Sequence, residues 1–158
     1  MTAPFVVHEV ERARDLAEVR RLILEHALAR ATTPGVEYMR ADAESLPGRY
    51  SAPRGGLWLA SAGEAGVGCV ALRPLSDDAA EVKRMFVDAS WRGRGVGRAL
   101  LETLIDGARA RGYHTLRLGT LDDMKVAQSL YESLGFAPIA RYRPDELVDT
   151  RFYERSLR

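Results

Sequence analysis

The segment richest in chemistry is Arg92-Gly93-Arg94-Gly95-Val96-Gly97-Arg98. Glycines spaced this way let the backbone take positive φ and approach a guest closely. An apolar stripe at helical spacing follows (Val96, Leu100, Leu104, Ala108), so the loop opens a helix. The first N–H groups of a helix have no internal acceptor, and the helix dipole favours an anion there. Arg92, Arg94 and Arg98 bring positive charge to the same place. A pyrophosphate suits this chemistry; a basic turn that holds nothing is the alternative reading. Two nucleotide patterns are excluded. A Walker loop needs Gly-Lys-Ser/Thr, whereas Arg98-Ala99 follows Gly97. The dinucleotide pattern GxGxxG needs a wider last spacing than 93, 95, 97. It also needs an acidic residue about 20 positions on, and Arg117 stands near that place.

Other reactive side chains are sparse. The single cysteine, Cys69, lies in the apolar run Val67 to Leu72 and reads as a buried strand residue rather than a nucleophile. His8, His26 and His114 are scattered, with no metal-ligand spacing. A net charge of +1 gives no global basic field, so nucleic acid is not an expected partner. No apolar run reaches membrane-spanning length, and the N-terminus lacks the pattern of a signal peptide. The expectation is a cytoplasmic protein of one domain, residues 1–158. At 46% hydrophobic and 28% charged it can build a core without disulfides or metal.

The elements that position the loop follow from periodicity and breakers. Phe5 to Val10 reads as a strand. A helix capped by Asp15 runs to about Arg30, with Leu16, Val19, Ile23 and Ala27 on one face. Pro34-Gly35 and Pro47-Gly48 mark a loop-rich stretch with a short helix near Asp42 to Leu46. Leu57 to Ala62 and Val67 to Leu72 make an antiparallel hairpin, and Glu81 to Asp88 a third strand beside it. The helix after the glycine loop ends at Gly112, and His114 to Leu118 is a strand. Asp122 or Asp123 caps a further helix carrying Met124, Ala127, Leu130, Tyr131 and Leu134, which Gly135 stops. Phe136 to Arg141 and Arg151 to Leu157 complete the strands. The order predicts a mixed α/β sheet, with one parallel pair made by the crossover.

Arg92-Gly93-Arg94-Gly95-Val96-Gly97 resembles the pyrophosphate signature Gln/Arg-x-x-Gly-x-Gly/Ala of the GNAT N-acetyltransferase superfamily. The likeness extends both ways. Glu81-Val82-Lys83-Arg84-Met85-Phe86-Val87 is similar to the fourth strand of that fold. Ala127-Gln128-Ser129-Leu130-Tyr131-Glu132-Ser133-Leu134-Gly135-Phe136 is similar to its motif A-x-x-L-Y-x-x-x-G-F. The order and spacing of the three pieces is far more specific than any one of them. The family often carries Asn seven residues before the tyrosine; here that residue is Met124.

The resemblance implies a GNAT-like sheet of six or seven strands with about four helices, and transfer of an acetyl group from acetyl-CoA to an amine. The backbone N–H groups of Arg94, Gly95, Val96, Gly97 and Arg98 would ring the pyrophosphate, with Arg92 at the head of the signature. Main-chain groups of Phe86 and Val87 would meet the pantetheine arm and the thioester oxygen. A backbone group or Ser129 is the implied substitute for the missing Asn. Tyr131 would protonate the leaving thiolate, although periodicity by itself makes it a core tyrosine. Glu81, at the start of the fourth strand, is the implied base, acting directly or through water. Tyr38, Asp42, Glu44 and Tyr50 lie where the fold builds its acceptor pocket. A homodimer is a further implication, since many members pair. The rivals are an acyltransferase using a longer chain or a hydroxyl acceptor, and a non-catalytic acyl-CoA-binding module.

Overall fold

The computed structural model describes residues 4–29, 35–144 and 149–158. Seven strands form one sheet in the order β1-β2-β3-β4-β5-β7-β6. They are β1 (Val6–Glu9), β2 (Gly56–Ala62), β3 (Ala65–Pro74), β4 (Ala79–Val87), β5 (Thr115–Leu121), β6 (Ala137–Ile139) and β7 (Thr150–Ser156). Four helices accompany them: α1 (Ala13–Ala29), α2 (Val36–Glu44), α3 (Val96–Ala110) and α4 (Lys125–Ser133). The expected mixed sheet is present, and β4 with β5 is its parallel pair.

Both faces of the sheet are covered. Alternation along β2 sends Trp58 and Ala60 to one side and Leu57 and Leu59 to the other. The first side packs on Val96, Leu100, Leu101 and Leu104 of α3 and on Tyr131 of α4. The second packs on Val19, Leu22 and Ile23 of α1 and Ala43 of α2. Cys69 belongs to this second core and is fully buried, as expected; burial pushes its thiol up to about 12.

Three local expectations are corrected. Asp15 does not cap α1; it sits in the first turn, where its carboxylate accepts hydrogen bonds from Arg12 and meets His8. The short helix expected over Asp42 to Leu46 is α2, which begins earlier, at Val36, and ends at Glu44. Gly35 explains the early start: it takes φ 94 as the N-cap, so the glycine read as a break opens the helix instead. Neither Asp122 nor Asp123 caps α4; Met124 occupies that place without a side-chain cap bond. Arg30 and Pro34 lie outside the described residues.

Candidate active site

Gly93 and Gly95 take φ 77 and 85, in the left-handed region that favours glycine. Gly95 is the N-cap of α3 and offers no side-chain oxygen, so the first-turn N–H groups receive no cap bond. A Cβ built on Gly95 would meet nothing within 4 Å, so the loop presents an open face. Gly97 serves packing instead. A Cβ there would lie 3.2 Å from Leu130, so its absence lets α3 approach α4. Arg92 Nε donates to the Val87 carbonyl at 3.2 Å, Arg94 lies 4.8 Å from the Trp91 ring centroid, and Arg98 donates to Ser133 Oγ at 2.7 Å. Open N–H donors with three arginines beside them fit a pyrophosphate.

Next to the loop, β4 and β5 part. Their pairing runs only from Ala79↔Thr115 to Glu81↔Arg117, although β4 continues to Val87 and β5 to Leu121. A bulge accompanies the separation. Between Cys69↔Phe86 and Ala71↔Lys83 the register slips, and Arg84 takes φ 55. The result is a cleft of about 500 Å³, lined by Lys83 to Phe86 on one side and Gly119 to Leu121 on the other. Tyr131 and Met124 line it from the α4 side, and Tyr38 from α2.

The sequence profile described as the Acetyltransferase (GNAT) family matches residues 16–136. The chain belongs to the GNAT acetyltransferase family. An N-acetylaspartate synthetase of Danio rerio is 36% identical over 100 residues, which are 62% of this chain and 36% of that protein. The uncharacterized N-acetyltransferase YsnE of Bacillus subtilis is 38% identical over 93 residues, 56% of this chain and 62% of that one. The chain thus spans less than two thirds of the length of these curated relatives. A crystal structure of a GNAT family acetyltransferase from Staphylococcus aureus superposes with a TM-score of 0.83 at 28% identity, covering 98% of this chain and 100% of that one.

In this GNAT chain the expected site residues have different fates. Phe86 lines the cleft and meets His26 edge-on at 4.9 Å between ring centroids. The Val87 side chain packs into the α3 core, and Val87 is not part of the cleft lining. Val96 is likewise a core residue, so its contribution to the loop is its N–H. Ser129 is exposed on α4 and is not part of the cleft lining, whereas Met124 is. Tyr131 lines the cleft and is 7% exposed, with Phe136 and Tyr153 rings at 5.9 and 6.4 Å. Burial pushes its hydroxyl above the ordinary 10, so it keeps its proton.

Glu81 departs from expectation. It is not at a strand end; it sits inside β4, fully buried, opposite Arg73 on β3. Its Oε1 accepts from Arg73 at 2.7 Å and Arg143 at 3.2 Å, and its Oε2 from the Tyr142 hydroxyl at 2.5 Å. Burial by itself would raise its pKa, but Lys83, Tyr142, Arg73 and Arg143 outweigh that and hold the carboxyl below its usual range. A carboxylate so engaged is a weak base, and its place is behind the cleft wall.

Of the expected acceptor contacts, only Tyr38 lines the cleft. Tyr50 is buried and donates to Asp42, which also takes Arg84 Nε at 2.8 Å and Arg49 Nε at 3.1 Å; Glu44 is exposed elsewhere. Sequence reasoning missed Lys83 and Arg84. Their signal was the charge run Glu81-x-Lys83-Arg84 inside a strand, which alternation alone would put on both faces of a buried sheet. Burial, helped by Arg84, Arg143 and Arg49 and opposed by Glu81, pushes Lys83 down to about 7.

Proposed function

We propose that this chain is an acetyl-CoA-dependent N-acetyltransferase, working as one domain, that acetylates a primary amine by direct transfer. The observation that carries the reading is the junction of an uncapped helix start with two parting strands. Bound acetyl-CoA supplies an activated thioester. The loop N–H groups of Arg94 to Arg98, with Arg92, hold the phosphates. The β4 edge at Phe86 and Val87 offers main-chain polarity to the acyl group. Tyr131, protonated and at the cleft, is the proton donor that a leaving thiolate requires. Lys83, partly neutral near pH 7, is the cleft group able to take a proton from the amine. Glu81 positions Arg73, Arg143 and Tyr142.

A cytoplasmic location is part of this reading. The reading also includes a homodimer, tested by sedimentation, and no nucleic-acid partner. The test of function is release of free CoA thiol from acetyl-CoA with a panel of amines, with the product identified by mass. Acceptor-dependent release is expected. Tight acetyl-CoA binding with no release for any amine would favour the binding module instead.

A further inference from the structure

Of the 23 lysines and arginines in the sequence, only Lys83 and Lys125 are lysines. Their settings differ. Lys125 is exposed at the start of α4 and pairs with Asp122 at 3.4 Å. Lys83 is half-buried in β4 and lines the cleft. Arginine keeps its proton under all ordinary conditions, whereas a lysine can lose its own and become a nucleophile. A sequence that uses arginine almost everywhere thus places a titratable amine in the cleft wall. The strands bring that amine to the transfer chemistry. β4 and β5 part beyond Glu81↔Arg117, just before Lys83, and Phe86, proposed above to face the acyl group, follows one bulge later. Lys83, Phe86 and Tyr131 line one cleft of about 500 Å³. Burial pushes the Lys83 pKa down to about 7, so a large share of the amine carries a free lone pair at neutral pH.

A neutral primary amine held in a cleft that acylates primary amines is itself an acceptor. We propose that the chain acetylates itself at Lys83, from acetyl-CoA held at its own glycine loop, when no free amine occupies the cleft. This rests on the N-acetyltransferase reading above. The Lys83 nitrogen attacks the thioester carbonyl carbon, and the N–C bond forms as the C–S bond breaks. The proton shed by nitrogen restores the one that Tyr131 gives to sulfur, so the products are the Lys83 amide and free CoA thiol. The amide nitrogen has no basic lone pair. The modified chain therefore loses the group that takes a proton from the acceptor, and self-acetylation switches the site off.

The test incubates the unaltered protein with acetyl-CoA and no added amine, and follows each lysine by peptide mass mapping. Lys83 is expected to gain one acetyl group at a rate that saturates with acetyl-CoA and does not depend on protein concentration. That rate should exceed the Lys125 rate at least tenfold. Excess CoA, or Gly95→Glu, should slow Lys83 and leave Lys125 unchanged. Protein acetylated in this way should turn over an accepted amine at least tenfold more slowly. Lys83 left unmodified, modified no faster than Lys125, or indifferent to CoA would overturn the inference; equal kcat after acetylation would overturn the switch. If Gly95→Glu does not fold, the CoA competition in the unaltered protein decides. Turnover of an added amine with Lys83 untouched defeats this inference alone. Absence of CoA release with every added amine would instead overturn the N-acetyltransferase reading, so the two failures are distinct.

Discussion

Tyr131 joins packing to chemistry in one side chain. Its ring belongs to the core beside α3, while the residue also lines the cleft. Tyr131→Phe keeps the ring, so stability should change by no more than about 1.5 kcal/mol. Acetyl-CoA affinity should hardly change, and kcat should fall about tenfold or more. Equal kcat in a rapid-quench measurement of the chemical step would leave Tyr131 as core only. Lys83 gives a second prediction, through linkage. Its folded pKa of about 7 lies below its ordinary 10.5, so the unfolded chain binds more protons between those values. The penalty is therefore full below pH 7 and shrinks as pH rises towards 10.5. Against Lys83→Met, the unaltered protein should gain up to about 1.4 kcal/mol per pH unit in that window, measured by urea unfolding. A constant difference would contradict the assigned burial.

Among the elements, the β4 bulge and the α2 helix are tied by one carboxylate. Asp42 takes Arg84 from β4, Arg49 and Tyr50. Asp42→Ala leaves those arginines without their anion, and should cost about 3–5 kcal/mol in a denaturant titration. Burial would raise the Asp42 pKa, but Tyr50, Arg84 and Arg49 hold it below the carboxylate range. Its contribution is thus present at neutral pH and fades as pH falls through the folded value. The strands and α3 were legible in the sequence because alternation and helical spacing report directly on burial. The bulge was not: Arg84 looks like any strand residue until the register with Cys69 and Ala71 is known. The buried setting of Glu81, though not the residue itself, was hidden for a related reason. Its partner Arg143 lies 62 residues away, and no local pattern brings the two together.

Over the whole molecule, a net charge of +1 does not tell where the charged side chains lie; among the described residues Arg73, Lys83, Arg84 and Arg143 line the cleft. Composition averages over the surface, so it could not reveal which side chains line the cleft, whereas the cofactor loop was visible as a contiguous motif. Everything proposed for the cleft depends on the glycine loop holding the cosubstrate beside it. Acetyl-CoA binding should weaken with added salt, because a solvent-open charged site is screened. Calorimetric titration of acetyl-CoA into the unaltered protein, Gly95→Ala and Gly95→Glu tests the loop itself. Both variants carry the same left-handed strain at φ 85, and only the second puts an anion where the phosphates belong. Gly95→Glu should lose binding by far more than Gly95→Ala, with similar melting temperatures. Near-normal affinity in a folded Gly95→Glu would show that the phosphates sit elsewhere.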